Sequence, residues 1–377
     1  MSDFLGFEKI NKKLGLGCMR LPLKDKAIDH TTFSAMVDAF IENGFNYFDT
    51  AHGYMRGESE NALKISLTSR YPRDAYVLAN KLSTFHFERE EEIVPLFESQ
   101  LEACGVDYFD IYLMHAQNTA LYEKYKSCRA YEHALDFLRE GRIKHFGISF
   151  HDRADLLEKI LNDYPEIELV QIQFNYADYE DPTVESRKCY EVCVKYGKPV
   201  VVMEPVKGGC LANLPDDASA VLRALGGGSD ASYAIRFAAG FDGVMMVLSG
   251  MGSIDMLNDN MSYMKDFKPL DERERAAVDE VRRIFRSKDL IACTACEYCI
   301  ANCPMNISIP NLFACMNGKK LWNSWNSDYY YGVHTQSAKK ASDCIGCGAC
   351  ESACPQHLPI RELLREVAKE FEKKENT

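Results

Sequence analysis

Two short cysteine runs carry the clearest chemistry in the chain. CTACEYCIANCP sets Cys293, Cys296, Cys299 and Cys303 at C-x2-C-x2-C-x3-C spacing, followed by Pro304. CIGCGACESACP repeats the pattern with Cys344, Cys347, Cys350, Cys354 and Pro355. Thiolates this close in sequence converge on one inorganic core, and the repeat predicts two [4Fe–4S] clusters. In runs of this kind the fourth cysteine ligates the other run's cluster. Cys303 is therefore expected with Cys344, Cys347 and Cys350, and Cys354 with Cys293, Cys296 and Cys299. The two runs must then lie antiparallel and close. Structural zinc needs only four ligands in two pairs, often with His. Disulfides leave the repeated dodecapeptide unexplained.

A second set of residues suits proton transfer. Asp49 closes the apolar stretch FNYFDT, and Tyr54 lies five residues on. Lys81 closes AYVLANK, and His115 closes FDIYLMH. An ammonium at the end of an apolar strand must be paired, and Asp49 is the available carboxylate. A lysine cation beside a phenol lowers its pKa and makes it a better proton donor near neutral pH. His115 would hydrogen-bond a substrate oxygen. Together the four would protonate a carbonyl oxygen while a hydride reaches its carbon. Taken singly, a loop Tyr is more often packing and a strand-end His more often structural. The weight lies in four such residues at consecutive strand ends.

These residues need elements to hold them. Short apolar stretches at 13–19, 45–50, 75–81, 109–115, 142–149, 169–175, 199–205 and 243–249 read as strands. They lack alternation, as strands buried on both faces of a parallel sheet do. Amphipathic stretches between them, such as TTFSAMVDAFIENG and VESRKCYEVCVKYG, end in glycines suited to helix C-termini. Eight strands with a helix after each predict an α/β fold, a (β/α)8 barrel. The alternative is a doubly wound open sheet, but no G-x-G-x-x-G follows the first strand. A long glycine-rich loop is expected between Pro205 and Ser232. The predicted boundaries are a barrel over 1–269, a linker helix over 270–287 and a mainly helical cluster domain over 288–377. Between the cysteine runs a helix followed by an aromatic loop is expected. Pro310, the two Trp, and Tyr329 to Tyr331 would shield clusters, contact the barrel, or serve as core aromatics.

The barrel part resembles the aldo-keto reductase family through NYFDTAHGYMRGESENALK, YVLANKL and IYLMHAQN, supported by GRIKHFGIS and VQIQFNY. The whole chain is similar to the branch with a C-terminal dicluster ferredoxin domain. The resemblance implies Tyr54 as general acid, Lys81 and Asp49 tuning it, and His115 orienting the carbonyl. It also implies an NAD(P)H cofactor. Ser149 and Gln171 match the family's nicotinamide contacts. Where the family has Asn after that Ser, this chain has Phe150, and Met203 stands where a stacking aromatic is expected. Gly250, Gly252 and Ser253 match the phosphate loop, which uses backbone N–H groups at a helix N-terminus, and Asn260 matches an adenine-side Asn. The cations that grip a 2′-phosphate in NADPH-specific members are replaced by Gly250 and Met256, which argues against NADPH selectivity and admits NADH. Since nicotinamide moves electron pairs and clusters move single electrons, a flavin in the barrel is the alternative.

The net charge of −12 argues against a nucleic-acid partner. No apolar run is long enough for a membrane span. Of the 15 cysteines, eight belong to the two runs. The rest suit a reducing cytoplasm, as cluster assembly does. The sequence therefore predicts an oxidoreductase acting on a small-molecule carbonyl, with clusters in electron transfer and a redox partner protein. The alternative is an electron-carrier or structural iron–sulfur protein with a degenerate barrel.

Overall fold

The computed structural model describes residues 6–181, 184–287, 290, 291, 293, 298–323, 325–336, 338–354 and 357–372. Eight parallel strands form a closed barrel: β1 (Leu14–Gly17), β2 (Tyr47–Asp49), β3 (Val77–Leu82), β4 (Phe109–Gln117), β5 (Ile143–Phe150), β6 (Leu169–Gln173), β7 (Val200–Met203) and β8 (Val244–Ser249). Each pairs with its neighbours in sequence, and β8 closes onto β1, with Leu16 opposite Ser249. Five of the strands fall within the stretches predicted for them, and β3, β4 and β5 run one or two residues past theirs, to Leu82, Gln117 and Phe150. Their side chains are buried nearly throughout, which explains the missing alternation: one face meets the barrel interior and the other the helices.

The interior is filled at its lower end by Phe7 and Ile10, packed with Val77, Ile111, Leu169 and Val201. Space there is tight. A Cβ on Gly147 would lie 2.6 Å from the Leu169 carbonyl oxygen, so only glycine fits. Outside the strands, residues such as Phe33, Phe40, Phe97, Phe137 and Leu157 form a continuous apolar shell.

Three details differ from expectation. A small hairpin, Leu23–Lys24 paired with Ala27–Ile28, follows β1. The glycine-rich loop after β7 holds a 3-10 turn, Lys207–Ala212, and a helix, Asp216–Arg223. The predicted aromatic loop is instead a helix, Trp325–Gln336. Asn323 adopts a left-handed conformation (φ 42°) that ends the preceding helix, Ile309–Trp322, and lets the chain turn. Tyr331 then stacks on Phe371 at 4.6 Å, which anchors the aromatic stretch.

The chain divides into two compact units. One is the chain up to Asn213 with Leu222–Val278, and the other is Leu214–Val221 with the chain from Asp279 on. The second unit is mainly helical, with a core of Ile309, Leu312, Phe313, Ile360, Leu364 and Val367. Trp322 meets Phe285 edge-on at 4.7 Å, whereas Tyr329 and Tyr330 are exposed. The Trp325 side chain lies outside the described residues. Among the described residues, no helix is long and apolar enough to cross a membrane.

Candidate active site and cluster site

Asp49, Tyr54, Lys81 and His115 come together at the C-terminal ends of β2 to β4. Asp49 pairs in register with Ala79, so Lys81, two residues on, projects from the same face. Lys81 Nζ donates to Asp49 Oδ1 at 2.6 Å and to the Thr50 carbonyl at 2.8 Å. The two residues are 1% and 3% exposed, so the pair is isolated from water. Tyr54 opens a 3-10 turn just after β2, and Lys81 Nζ lies 4.7 Å from its ring centre. The His115 ring meets Tyr54 edge-on at 5.8 Å. His115 sits where the β4–β5 pairing shifts register, between Met114 and Gln117, and the next residue, Ala116, is left-handed at φ 55°. Such irregularities re-aim side chains at barrel rims.

The charges follow from this packing. Burial opposes the Lys81 ammonium, but Asp49 and Tyr54 beside it win, and its pKa is held above the ordinary lysine value. Burial raises the Tyr54 phenol and outweighs the lowering by Lys81, so the net shift is upward. This corrects the expectation of a lowered pKa: the cation stands at the right place, but the burial of the ring outweighs it. Tyr54 therefore keeps its proton. Burial, and then the Lys81 cation, push His115 well below the usual histidine range. Its Nδ1 lies 2.5 Å from Ser83 Oγ. If that hydroxyl donates, the neutral ring carries its proton on Nε2, free to donate to a substrate oxygen.

A buried polar network supports Lys81 from behind, and motif reading missed it. Glu60, fully buried, accepts from Asn80 Nδ2 at 2.7 Å and meets His52 Nδ1 at 2.8 Å. Gln100 donates to the Lys81 carbonyl at 3.0 Å and accepts from Tyr112 OH at 2.5 Å. Ser83 was missed too. The available signal was polar residues beside Lys81 in a strand that is otherwise apolar.

On the other side of the barrel mouth, Ser149 and Gln171 are register partners, both buried. Gln171 Oε1 is buried with no hydrogen-bond partner, an acceptor suited to a carboxamide N–H. Met203 ends β7 and is half-buried. Beyond β8, a Cβ added to Gly250 would lie 3.5 Å from Arg20, while Gly252 is open. Ser253 caps the helix Ile254–Met264, accepting the Met256 N–H at 3.3 Å. Asn260 is buried, donating to Ser249 Oγ at 2.7 Å and accepting from Tyr263 OH at 2.5 Å. The first bond ties the helix to β8, and the second stays within the helix. Met256 is exposed.

In the second unit, Cys303, Cys344, Cys347 and Cys350 line one cavity with Ile307, Leu364 and Arg361. All four carry free thiols. Three of them come from the second run and Cys303 from the first. The Ile307 N–H points at Cys303 Sγ at 3.5 Å. Among the described residues, no three His, Cys, Asp or Glu side chains are grouped as a single metal ion needs. The cavity offers four thiols among apolar side chains, a lining suited to a sulfur-ligated cluster. Of the other four, Cys293, Cys299 and Cys354 belong to the surrounding apolar core. The short helices Tyr298–Ala301 and Ala349–Ala353, one from each run, pack together. Cys296 and Pro355 lie outside the described residues.

Comparison with known proteins bears on both units. The family model "Aldo/keto reductase family" matches residues 13–283, and "4Fe-4S dicluster domain" matches 292–359. An aldo-keto reductase of Mycolicibacterium smegmatis is 29% identical over 140 residues, 36% of this chain and 45% of that protein. The uncharacterized oxidoreductase YqkF of Bacillus subtilis is 26% identical over 216 residues, 54% of this chain and 64% of its own. Both alignments span less than two thirds of the relative's length. A crystal structure of an aldo-keto reductase from Klebsiella pneumoniae in complex with NADPH superposes with a TM-score of 0.57 at 20% identity, covering 72% of this chain and 95% of that one. At that identity the likeness concerns the fold.

Proposed function

The chain belongs to the aldo/keto reductase family, an oxidoreductase barrel joined to a 4Fe–4S dicluster domain, and from that premise we propose that it reduces a small-molecule carbonyl with NAD(P)H. The observation that carries this reading is the Lys81–Asp49 ion pair at 2.6 Å, dry and set beneath Tyr54, with His115 at the edge of the Tyr54 ring. Bound nicotinamide supplies the hydride. The protein's part is to place the carbonyl oxygen between Tyr54 OH and His115 Nε2. Tyr54 holds its proton until charge develops on that oxygen. The Lys81 ammonium then stabilises the phenolate left behind, and Asp49 keeps the ammonium in place and charged. Ser149 and Gln171 are suited to hold a carboxamide, the Gln171 oxygen as acceptor. Gly250, Gly252 and the helix capped by Ser253 are suited to phosphates. Asn260 would contribute by fixing that helix.

In the second unit, Cys303, Cys344, Cys347 and Cys350 would hold one [4Fe–4S] cluster, and Cys293, Cys296, Cys299 and Cys354 a second. The clusters supply single-electron transfer, in this reading to or from a redox partner protein. Coupling them directly to hydride chemistry needs a converter such as flavin. The test is anaerobic purification followed by iron, sulfide, flavin and nicotinamide analysis, with NADH and NADPH oxidation assayed against aldehydes and ketones. The proposal expects cluster iron, no flavin and turnover with a nicotinamide. A yellow protein that is inert to NADH and NADPH would replace it with a flavin reading.

A further inference from the structure

Among the described residues, the cavity formed by Cys303, Cys344, Cys347 and Cys350 has one cationic wall residue, Arg361, which lies outside both cysteine runs. It sits in the first turn of the helix Ile360–Phe371. Its guanidinium lies over the loop between the ligands. A Cβ on Gly348 would be 3.7 Å from Arg361 Cζ, and Nη1 lies 3.4 Å from the Gly346 carbonyl. Gly346 and Gly348 are both left-handed (φ 74° and 79°), which curls the loop beneath the cation. Glu351, next to Cys350, fixes the guanidinium from the far side through Nε at 3.0 Å and Nη2 at 2.8 Å, and also accepts the Arg361 backbone N–H at 2.8 Å. Arg361 lines the cavity, whereas Glu351 does not.

We propose that Arg361 sets the reduction potential of the cluster held by Cys303, Cys344, Cys347 and Cys350, raising it, with Glu351 partly offsetting that effect. The proposal rests on the reading that these thiols carry a [4Fe–4S] cluster. Reduction adds one electron from the donor to the cluster and no proton, so the reduced form is more negative by one charge. A fixed cation at the cavity wall stabilises that form more than the oxidised one. Charge and hydrogen bonding around the sulfurs are among the determinants of cluster potential. Because Arg361 is about half exposed, the effect should weaken as salt rises.

The test uses the full chain, purified anaerobically, with iron and sulfide measured first and cluster spectra followed by electron paramagnetic resonance during titration with dithionite. Arg361→Gln should lower the midpoint of one cluster signal, by about tenfold in the reduced-to-oxidised ratio, or about 59 mV for one electron. Arg361→Lys should restore most of the shift, and Glu351→Gln should move the same signal the other way. Unchanged midpoints in Arg361→Gln at full iron content would overturn the proposal, and so would both variants shifting in one direction, which marks a loosened loop instead of a lost charge. A wild-type chain lacking iron and sulfide would overturn the cluster reading itself.

Discussion

Lys81 Nζ and Asp49 Oδ1 are 2.6 Å apart in a site that excludes water, although one belongs to β3 and the other to β2. An ion pair this buried is weak support for stability but a severe liability when one partner is lost. It makes stability and chemistry separable. Asp49→Leu or Lys81→Met alone should cost about 3–5 kcal/mol in urea unfolding, because an uncompensated charge remains. The double variant should regain most of that stability and none of the carbonyl reduction.

In the proposed reaction Tyr54 is the group that gives up its proton to the carbonyl oxygen. Tyr54→Phe should lower kcat for carbonyl reduction by about 10²–10⁴-fold, the usual worth of a general acid. Nicotinamide binding, read by fluorescence quenching, should be unchanged. Full activity in this variant would remove Tyr54 from the mechanism.

The depressed His115 pKa gives a pH signature with a definite sign. The unfolded chain's histidine takes up a proton below about pH 6.5, whereas folded His115 resists protonation because burial and Lys81 oppose it. The unfolded state then binds more protons, so this contribution is present above that pH and is lost as pH falls. Urea unfolding between pH 5 and 8 should show a shallower acid-side decline in His115→Gln than in the parent.

Crosswise ligation can be read from paired variants. Cys303→Ser and Cys347→Ser come from different runs but line the same cavity. Both should weaken the same cluster signal in electron paramagnetic resonance. Cys303→Ser acting with Cys299→Ser, and not with Cys347→Ser, would contradict that grouping.

Cofactor choice follows from Gly250 and Met256, which stand where cations would grip a 2′-phosphate, with the Arg20 side chain against Gly250. With glycine at 250 and an exposed Met256, NADPH and NADH should differ by less than about tenfold in kcat/KM, that is by less than about 1.4 kcal/mol. Met256→Arg should move the preference towards NADPH by about tenfold, through a charge-assisted contact to the 2′-phosphate. Steady-state kinetics with both nucleotides checks this.

The sequence alone determined the eight strands, because a strand buried on both faces writes a continuous apolar stretch. It also pointed to the cluster domain, because a repeated C-x2-C-x2-C-x3-C run has the spacing that iron–sulfur clusters need. The four polar residues at strand ends were legible for a related reason: a charge that closes an apolar strand needs a partner. Only the tertiary structure decided what depends on distant neighbours. Burial overturned the lowered Tyr54 pKa, since desolvation is set by everything packed around the ring. The aromatic stretch expected as a loop is the helix Trp325–Gln336, with Tyr331 stacked on Phe371. Glu60 behind Lys81, Ser83 beside His115 and Arg361 over the Cys344–Cys350 loop became visible only once the chain had folded. Their roles lie in distances and screening across segments far apart in sequence, which no local spacing records.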